Sequence, residues 1–282
     1  MKHLFILFFL LLYLPSLFSL EIIVPRTSNN EARDDYEIGL LKLILDKSSE
    51  PYTLKRSKRI YTQKRIIKSL KNNEKMSIYW MGTSKKLEEE LHPIRVPLAY
   101  GILGYRVFII HKNHQKLFDN IKNISDLQKL KGAQGLGWSD IKILEHSGLK
   151  QYPNAYENIF KMIDRGNRID YFSRGVNEAF AEVKARKDKL KNLSVEKNIL
   201  LVYPFSKFFF INNRNKELEK IINKGIKKAF KDGSYLRYFR NNEQIKIMFK
   251  EAKVKNRIRI DIPNPLLTPE TKKALKKYQL PQ

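Results

Sequence analysis

The chain of 282 residues predicts an α/β fold, and three observations favour it. Short apolar runs of strand length alternate with segments whose apolar residues recur at helical spacing. Glycines follow several of the helical segments, as they commonly do at helix ends. No internal repeat or low-complexity linker interrupts the alternation. After removal of an N-terminal leader, the remaining length suffices for one large domain or two small lobes.

The first half of the chain predicts five strands and three helices. The strands are expected at residues 22–24, 52–54, 77–81, 94–98 and 106–111, each an apolar or β-branched run. The helices are expected at residues 36–47, 62–71 and 85–91. In the first of them, the apolar residues at helical spacing are Ile38, Leu41, Ile44 and Leu45.

The second half continues the alternation. Helices are expected at residues 156–164, 176–187 and 217–232, and Gly166 and Gly233 mark the ends of the first and last of these. Strands are expected at residues 169–172, 200–203 and 208–212. The tail, residues 257–282, contains four prolines and is expected to wrap over the surface.

Residues 1–19 are typical of a short export signal. Lys2 supplies a positive start, residues 4–14 form an unbroken apolar run, and Pro15 ends it. This run is shorter than the roughly 20 residues that a spanning helix needs. The cleaved leader predicts a soluble periplasmic protein, with an uncleaved anchor as the alternative. The absence of cysteine excludes a disulfide, a thiolate metal site and a lipid-modified cysteine.

The formal net charge is +26, with 55 basic and 29 acidic residues. This charge permits nucleic-acid binding in principle. The basic residues are mostly lysines spread along nearly every amphipathic segment, however, and no nucleic-acid motif is present. Nucleic acid is therefore not predicted as a partner, and attraction to anionic membrane surfaces or solutes is the expected consequence.

The stretch at residues 123–140, NISDLQKLKGAQGLGWSD, predicts a ligand cleft. Ser125 is expected to cap a helix that ends at Gly132 in a left-handed conformation. Gly135 and Gly137 then precede the start of a new helix, whose unpaired N–H groups suit an anionic group of a small ligand. A structural turn with a buried tryptophan remains the alternative.

The order of these segments resembles periplasmic solute-binding proteins of the amino-acid transport type (the family 3 class). The resemblance covers most of residues 21–240 and includes GYRVFIIHK at 104–112 and GNRIDYF at 166–172. More narrowly, the chain resembles uncharacterised relatives with the pattern GYR…DLQKLKG…GW.D…DYF.RG.NE.

This resemblance implies a two-lobed type II fold whose lobes are joined by two hinge strands and close over one solute. The hinge strands would lie near residues 106–111 and 203–208. Lobe one would comprise residues 20–107 plus 205–282, and lobe two residues 108–204.

In lobe one, the strand that ends with Tyr79, Trp80 and Met81 lies at the edge where α/β sheets hold ligands. Strand alternation places at most two of these side chains on one side, so at least one is expected in the core. Tyr79 and Trp80 are the candidate ligand residues. Arg65 and Arg95 are further candidates that could pair with a carboxylate, although each could equally be a surface arginine.

In lobe two, the resemblance implies that Trp138, Ser139 and Asp140 contact the acid group of the solute, with local helix capping as the alternative. Phe172, which ends the strand at 169–172, is a further candidate.

Amino-acid-binding members of the family place an acidic residue just after the strand that corresponds to 169–172, where it holds the ammonium. Here no acidic residue lies between Asp170 and Glu178, and Arg174 occupies that region. Arg174 suggests an acidic solute, whereas Glu178 is the alternative holder of an ammonium group.

The enzyme motifs GxSxG, HExxH and the phosphate-binding loop are absent. His111 and His114 have a spacing that permits a metal site, but solvated side chains are expected there, and no metal or cofactor is predicted. The sequence therefore predicts a monomeric solute-binding protein that captures a small polar or anionic, amino-acid-like solute and presents it to a membrane transporter or sensor. The alternative is an enzyme on the same fold, of the dehydratase or cell-wall lyase type.

Overall fold

The computed structural model describes residues 19–28 and 34–280. The predicted export signal lies outside these residues, apart from Ser19. The strands are β1 (Leu20–Arg26), β2 (Tyr52–Ile60), β3 (Ile78–Gly82), β4 (His92–Ile94), β5 (Tyr105–His111), β6 (Gly132–Gly135), β7 (Gln151–Asn154), β8 (Tyr171–Gly175), β9 (Leu193–Val195), β10 (Ile199–Val202), β11 (Lys207–Ile211) and β12 (Ile258–Asp261).

The helices are α1 (Asp35–Ser48), α2 (Gln63–Lys71), α3 (Lys85–Glu90), α4 (Gln115–Asp119), α5 (Ile124–Leu127), α6 (Asp140–His146), α7 (Tyr156–Arg165), α8 (Ala179–Lys184), α9 (Lys216–Lys231), α10 (Ser234–Asn241), α11 (Glu243–Glu251) and α12 (Pro269–Lys277). Strands and helices alternate along the chain, so the predicted α/β class is confirmed.

The described strands form three sheets. In the first, β1 pairs in parallel with β2, and α1 connects them as a crossover. In the second, β11 lies between β3 and β4 and is antiparallel to both. The third has seven strands in the order β12-β10-β5-β8-β6-β7, with β9 also paired to β5. The chain thus passes between the second and third sheets before β5 and again after β10.

Strand β5 shows why the middle of the seven-stranded sheet is so apolar. Val107 and Ile109 pack into one hydrophobic cluster, and Phe108 and Ile110 pack into the other. All four side chains are fully buried. Successive side chains of a strand point to opposite faces, so a strand covered on both faces reads as a continuous apolar run. The run VFII in the sequence has this pattern.

The structure corrects the expected strand at residues 94–98. Only Ile94 of that segment belongs to β4, and the chain then turns through Tyr100, which has a φ of 53°. Pro97 lacks an N–H group and disfavours continuation of the strand.

The cleft segment also differs locally from the prediction. Asn123, not Ser125, caps the short helix α5, because its Oδ1 accepts from the N–H of Asp126 at 3.2 Å. Gly132 begins β6 and does not end a helix. The left-handed residue of this segment is Gly137, with a φ of 80°.

The C-terminal tail contains regular structure. Strand β12 pairs in parallel with β10, and Thr268 caps α12 by accepting from the N–H of Thr271. The buried Arg257 donates from Nη1 to the carbonyl of Glu196 at 2.7 Å, which anchors the tail to the seven-stranded sheet. Residues 258–261 therefore share a sheet with segments that the prediction assigns to lobe two. The division into lobes stays a prediction.

Candidate ligand-binding cavity

A cavity of about 120 Å³ lies where the end of β3 and the turn after β6 approach the starts of α8 and β11. Its apolar lining is largely aromatic and includes Tyr36, Tyr79, Trp80, Met81, Leu103, Trp138, Tyr156 and Phe205. Its charged lining comprises Asp34, Glu37, Arg106, Asp140, Arg174, Glu178, Glu182 and Lys207. Aromatic walls with a few convergent polar groups are typical of small-molecule sites.

Gly135 at the end of β6 and Gly137 in the turn that follows bring Trp138 to the cavity. Gly137 adopts the left-handed conformation that an L side chain rarely takes. A Cβ atom on Gly135 would lie 2.3 Å from Cε2 of Trp138, so only glycine lets the indole lie against the backbone. The glycine pattern in the sequence is thus explained by the position of one aromatic side chain.

Strand β3 supplies the opposite wall. Tyr79, Trp80 and Met81 all line the cavity, although alternation predicted that at least one would face only the core. Trp80 is 3% exposed, and its Nε1 donates to Oδ1 of Asp34 at 3.3 Å. Asp34 also accepts from Nη2 of Arg56 at 3.1 Å. This network fixes the indole of Trp80 at the cavity.

Arg174 belongs to a buried network with two carboxylates. Its Nε and Nη2 donate to Glu182 at 2.8 and 2.7 Å, and Nη2 also lies 2.9 Å from Oε2 of Glu178. The guanidinium carbon lies 4.8 Å from the ring centre of Trp138. This distance allows a cation–π contact. Its Nη1 has no hydrogen bond to the described residues.

Lys207, at the start of β11, joins this network to α1. Its Nζ donates to Oε1 of Glu178 at 2.5 Å and to Oε1 of Glu37 at 2.9 Å. Burial lowers the pKa of Lys207, but Glu178 and Glu37 outweigh this effect and raise it above its ordinary value. The ammonium of Lys207 is therefore charged at neutral pH and bridges two carboxylates.

The carboxyl groups of this network differ in pKa. Burial raises the pKa of Glu178, but the cations of Arg174 and Lys207 outweigh it and hold that pKa well below its ordinary value. The pKa of Glu182 is also lowered, because Arg174 outweighs the effect of burial. The pKa of Glu37 is raised by burial, which Lys207 offsets only in part.

A second buried pair attaches α6 to β5. Nη2 of Arg106 lies 2.8 Å from Oδ1 of Asp140, and the hydroxyl of Tyr203 donates to the same oxygen at 2.7 Å. Nη1 of Arg106 donates to the carbonyl of Leu103 at 2.9 Å. Nε of Arg106 is buried without a partner among the described residues. The carboxylate of Asp140 is thus engaged by Arg106 and Tyr203.

The charges that line the cavity are predominantly negative. Five carboxylates face three cations, which are Arg106, Arg174 and Lys207. Each carboxylate has a cationic partner, with Arg56 pairing Asp34 from outside the lining. The cavity therefore contrasts with a chain whose net charge is +26.

The structure brings seven of the predicted site residues together in the cavity lining: Tyr79, Trp80, Trp138, Ser139, Asp140, Arg174 and Glu178. It does not bring the other three there. Phe172 is fully buried beneath Trp138, with ring centres 6.1 Å apart. Arg65 is exposed on α2. Arg95 donates from Nε and Nη2 to Oε2 of Glu88 at 3.2 and 3.0 Å, outside the lining.

Sequence reasoning missed several lining residues, including Asp34, Glu37, Arg106, Glu182 and Lys207. Glu37 had a local signal, because an acidic residue at a buried position of an amphipathic helix requires a partner. Lys207 had none, since a lysine before an apolar strand normally lies at the surface.

Gln63 connects α2 to the turn beside the cavity. Its Nε2 donates to the carbonyl of Gly137 at 3.4 Å, and its side chain also lines the cavity. Within residues 19–28 and 34–280, no group of three or more His, Asp or Glu side chains is arranged to hold a metal ion. In the same part of the chain, no helix combines the length and apolar character needed to cross a bilayer.

No family model matches the chain, and no curated protein matches it in sequence. Solved structures do match. An ancestral arginine-binding protein bound to arginine is 18% identical with a TM-score of 0.58, and the match covers 78% of this chain and 96% of that one.

An arginine-specific periplasmic binding protein from Salmonella typhimurium is 14% identical with a TM-score of 0.57, covering 78% of this chain and 97% of that one. A histidine kinase sensor domain similar to periplasmic binding proteins is 14% identical with a TM-score of 0.56, covering 78% of this chain and 94% of that one. These identities are low, so the likeness concerns the fold. The chain has the fold of type II periplasmic binding proteins, and amino-acid substrate-binding proteins are among its structural neighbours.

Proposed function

We propose that this protein binds an amino-acid-like solute in the cavity and does so without catalysing a reaction. Two lobes would close over the solute: residues 20–107 plus 205–282, apart from the tail strand β12, and residues 108–204, whose sheet β12 joins. The type II fold supports this proposal, because its solved members include amino-acid-binding proteins. The aromatic lining supports it as well, since Trp80 and Trp138 approach the same cavity from different sheets.

The observation that carries the proposal is a buried acceptor without a partner. Oδ1 of Asn177 is buried in the cavity lining and has no hydrogen bond among the described residues. Buried polar atoms are nearly always paired, so an unpaired one in a cavity points to a ligand donor. An ammonium group supplies such a donor. Nη1 of Arg174, which also has no bond to these residues, suits the carboxylate of the same solute.

The charges of the lining favour a zwitterionic or cationic amino acid over a purely acidic solute. The sequence suggested an acidic solute because Arg174 stands where related proteins hold an ammonium. In the structure, Glu178 and Glu182 already neutralise Arg174. Five lining carboxylates against three cations then make the addition of a dianion unfavourable. Arginine-binding proteins among the structural neighbours agree with this preference.

We further propose that the protein acts in the periplasm, to which its leader directs it, as a monomer that reports occupancy to a membrane transporter or sensor. Both kinds of partner are compatible with the fold, since a histidine kinase sensor domain is among the similar structures.

Tryptophan fluorescence tests solute binding directly, because the chain has only two tryptophans and both line the cavity. We expect saturable changes with L-arginine, L-lysine or L-glutamine and none with succinate. Trp80→Phe and Trp138→Phe each leave one reporter. Absence of any response to all of these amino acids would contradict the proposal. Conversion of a bound amino acid to a new product, followed by mass spectrometry, would instead support the enzyme alternative.

Asn177→Ala tests the residue that carries the proposal. Its Oδ1 makes no hydrogen bond within the described residues, so we expect the free energy of unfolding to stay nearly unchanged. Loss of one hydrogen bond to a charged donor weakens binding by about 10-fold. Arg65→Ala, an exposed substitution on α2, is the control and should leave the affinity unchanged. Equal affinities for all three proteins would remove Asn177 from the site.

A further inference from the structure

A groove outside the cavity combines an apolar floor with a basic rim. One side of the groove is formed by α8 and the segment that follows it, and the other side is formed by α11. The volume of the groove is about 760 Å³. The floor includes Phe180, Val183, Leu190, Leu193 and Ile247. The rim lysines are Lys184, Lys187, Lys191, Lys246 and Lys250. We call this surface the basic groove.

The lysines of the basic groove are available to a partner. All five are exposed, and none forms an ion pair within residues 19–28 and 34–280. The groove contains only two acidic residues, Glu243 and Glu251. Five lysines against two glutamates leave the groove with a net positive charge, whereas each carboxylate of the cavity lining has a cationic partner.

An exposed aromatic residue stands beside the groove. Phe249 is 57% exposed, and its ring packs edge-on against Phe239, with ring centres 6.4 Å apart. Lys246, Phe249 and Lys250 have the i, i+3, i+4 spacing that places residues on one side of a helix. An aromatic side chain flanked by lysines is typical of helices that lie at a membrane interface.

We propose that the basic groove and Phe249 form a docking surface for an anionic phospholipid bilayer. Lipid phosphates offer negative charge to the rim lysines, and the interfacial region accepts the exposed ring and the apolar floor. A bilayer supplies both kinds of contact together. This interaction would hold the protein at a membrane surface.

The docking surface and the cavity use different residues of the same elements. From α8, Ala181 and Glu182 line the cavity, whereas Phe180 and Val183 line the groove. From α11, Lys246 and Lys250 do not line the cavity. Substitutions on the groove can therefore be made without touching the proposed solute site, and failure of one proposal is distinguishable from failure of the other.

The test is flotation of the exported protein with vesicles of pure phosphatidylcholine and with vesicles containing about one-third phosphatidylglycerol. We expect binding to the anionic vesicles only, with weakening between about 50 and 300 mM salt. K246E/K250E should lower the vesicle partition coefficient by at least about 10-fold. The control is K58E/R59E on β2, which changes net charge equally on another exposed basic surface.

Two exposed apolar residues, Phe249 beside the groove and Ile60 on β2, offer a second matched pair of variants. Phe249→Ser should lower the partition coefficient about three-fold or more, whereas Ile60→Ser, at a residue 46% exposed on β2, should not. Equal losses for groove and β2 variants would show that net charge alone drives binding and would overturn the proposal. Equal binding to both vesicle types, or no binding to either, would overturn it as well. In the last case the groove would remain a candidate surface for an acidic protein.

Discussion

Arg174→Met tests whether the buried network stabilises the protein. Arg174 is 5% exposed and pairs with Glu178 and Glu182. Removal of one partner from a buried ion pair costs about 3–5 kcal/mol, because a buried charge is left uncompensated. Lys207 still neutralises Glu178, so the uncompensated group is Glu182. We expect a loss of about 3 kcal/mol in the free energy of unfolding at pH 7, measured by urea denaturation.

The pH dependence gives this prediction a specific signature. In the wild type, the pKa of Glu182 is lowered, so the stabilisation it provides is present above the ordinary glutamate pKa of 4.5 and is lost as the pH falls below it. In Arg174→Met, burial without the cation raises the pKa of Glu182, so this group becomes protonated at a higher pH. The difference in stability between the two proteins should therefore narrow as the pH falls from 7 toward about 4.

Two further variants complete the comparison. Arg259→Met is a matched control, because Arg259 also makes two hydrogen bonds to one carboxylate, Asp261, but at an exposed site. Arg259→Met should lower the free energy of unfolding by less than about 1 kcal/mol. The double variant Arg174→Met/Glu182→Gln should recover part of the loss, since no unpaired carboxylate remains. The reasoning would be refuted if Arg174→Met and Arg259→Met lost the same free energy of unfolding and if this loss did not change with pH.

Two predictions concern the packing of α9 and the end of α2. Gly225→Ala should cost about 1–3 kcal/mol in the free energy of unfolding despite the better helix propensity of alanine, because the new Cβ would lie 1.9 Å from the carbonyl oxygen of Ile44. A gain in stability would contradict the close approach of α1 and α9. Asn212→Ala should cost about 1–2 kcal/mol, because Nδ2 donates to the carbonyls of Leu70 and Lys71 at 2.7 and 2.9 Å. Unchanged urea denaturation would show that water replaces both bonds.

The parts of the fold that the sequence predicted well are those with a periodic apolar pattern. Helices expected at 36–47, 156–164 and 217–232 agree with α1, α7 and α9 to within one residue at each end. The expected ends at Gly166 and Gly233 have left-handed φ values of 70° and 71°. Helices α10 and α11 were missed, because aromatic and charged residues mix on both faces of that segment.

The predicted site residues that lie at the cavity are mostly those that a local pattern places. Trp138 was found from its glycines and Trp80 from the end of its strand, and both line the cavity. Arg65 and Arg95 were chosen by residue type alone, and neither reaches the cavity. An arginine has several partners available within one domain, and only the folded chain decides which carboxylate lies nearest.

The sequence by itself determined the α/β alternation, the buried faces of the main helices and the glycine turn that carries Trp138, because each depends on neighbours close along the chain. Only the tertiary structure decided the charge of the cavity. Glu37, Glu178 and Lys207 are separated by up to 170 residues, yet one ammonium bridges both carboxylates. Such pairing depends on which strands meet, and the energy of a buried charge depends on that pairing more than on the residue itself.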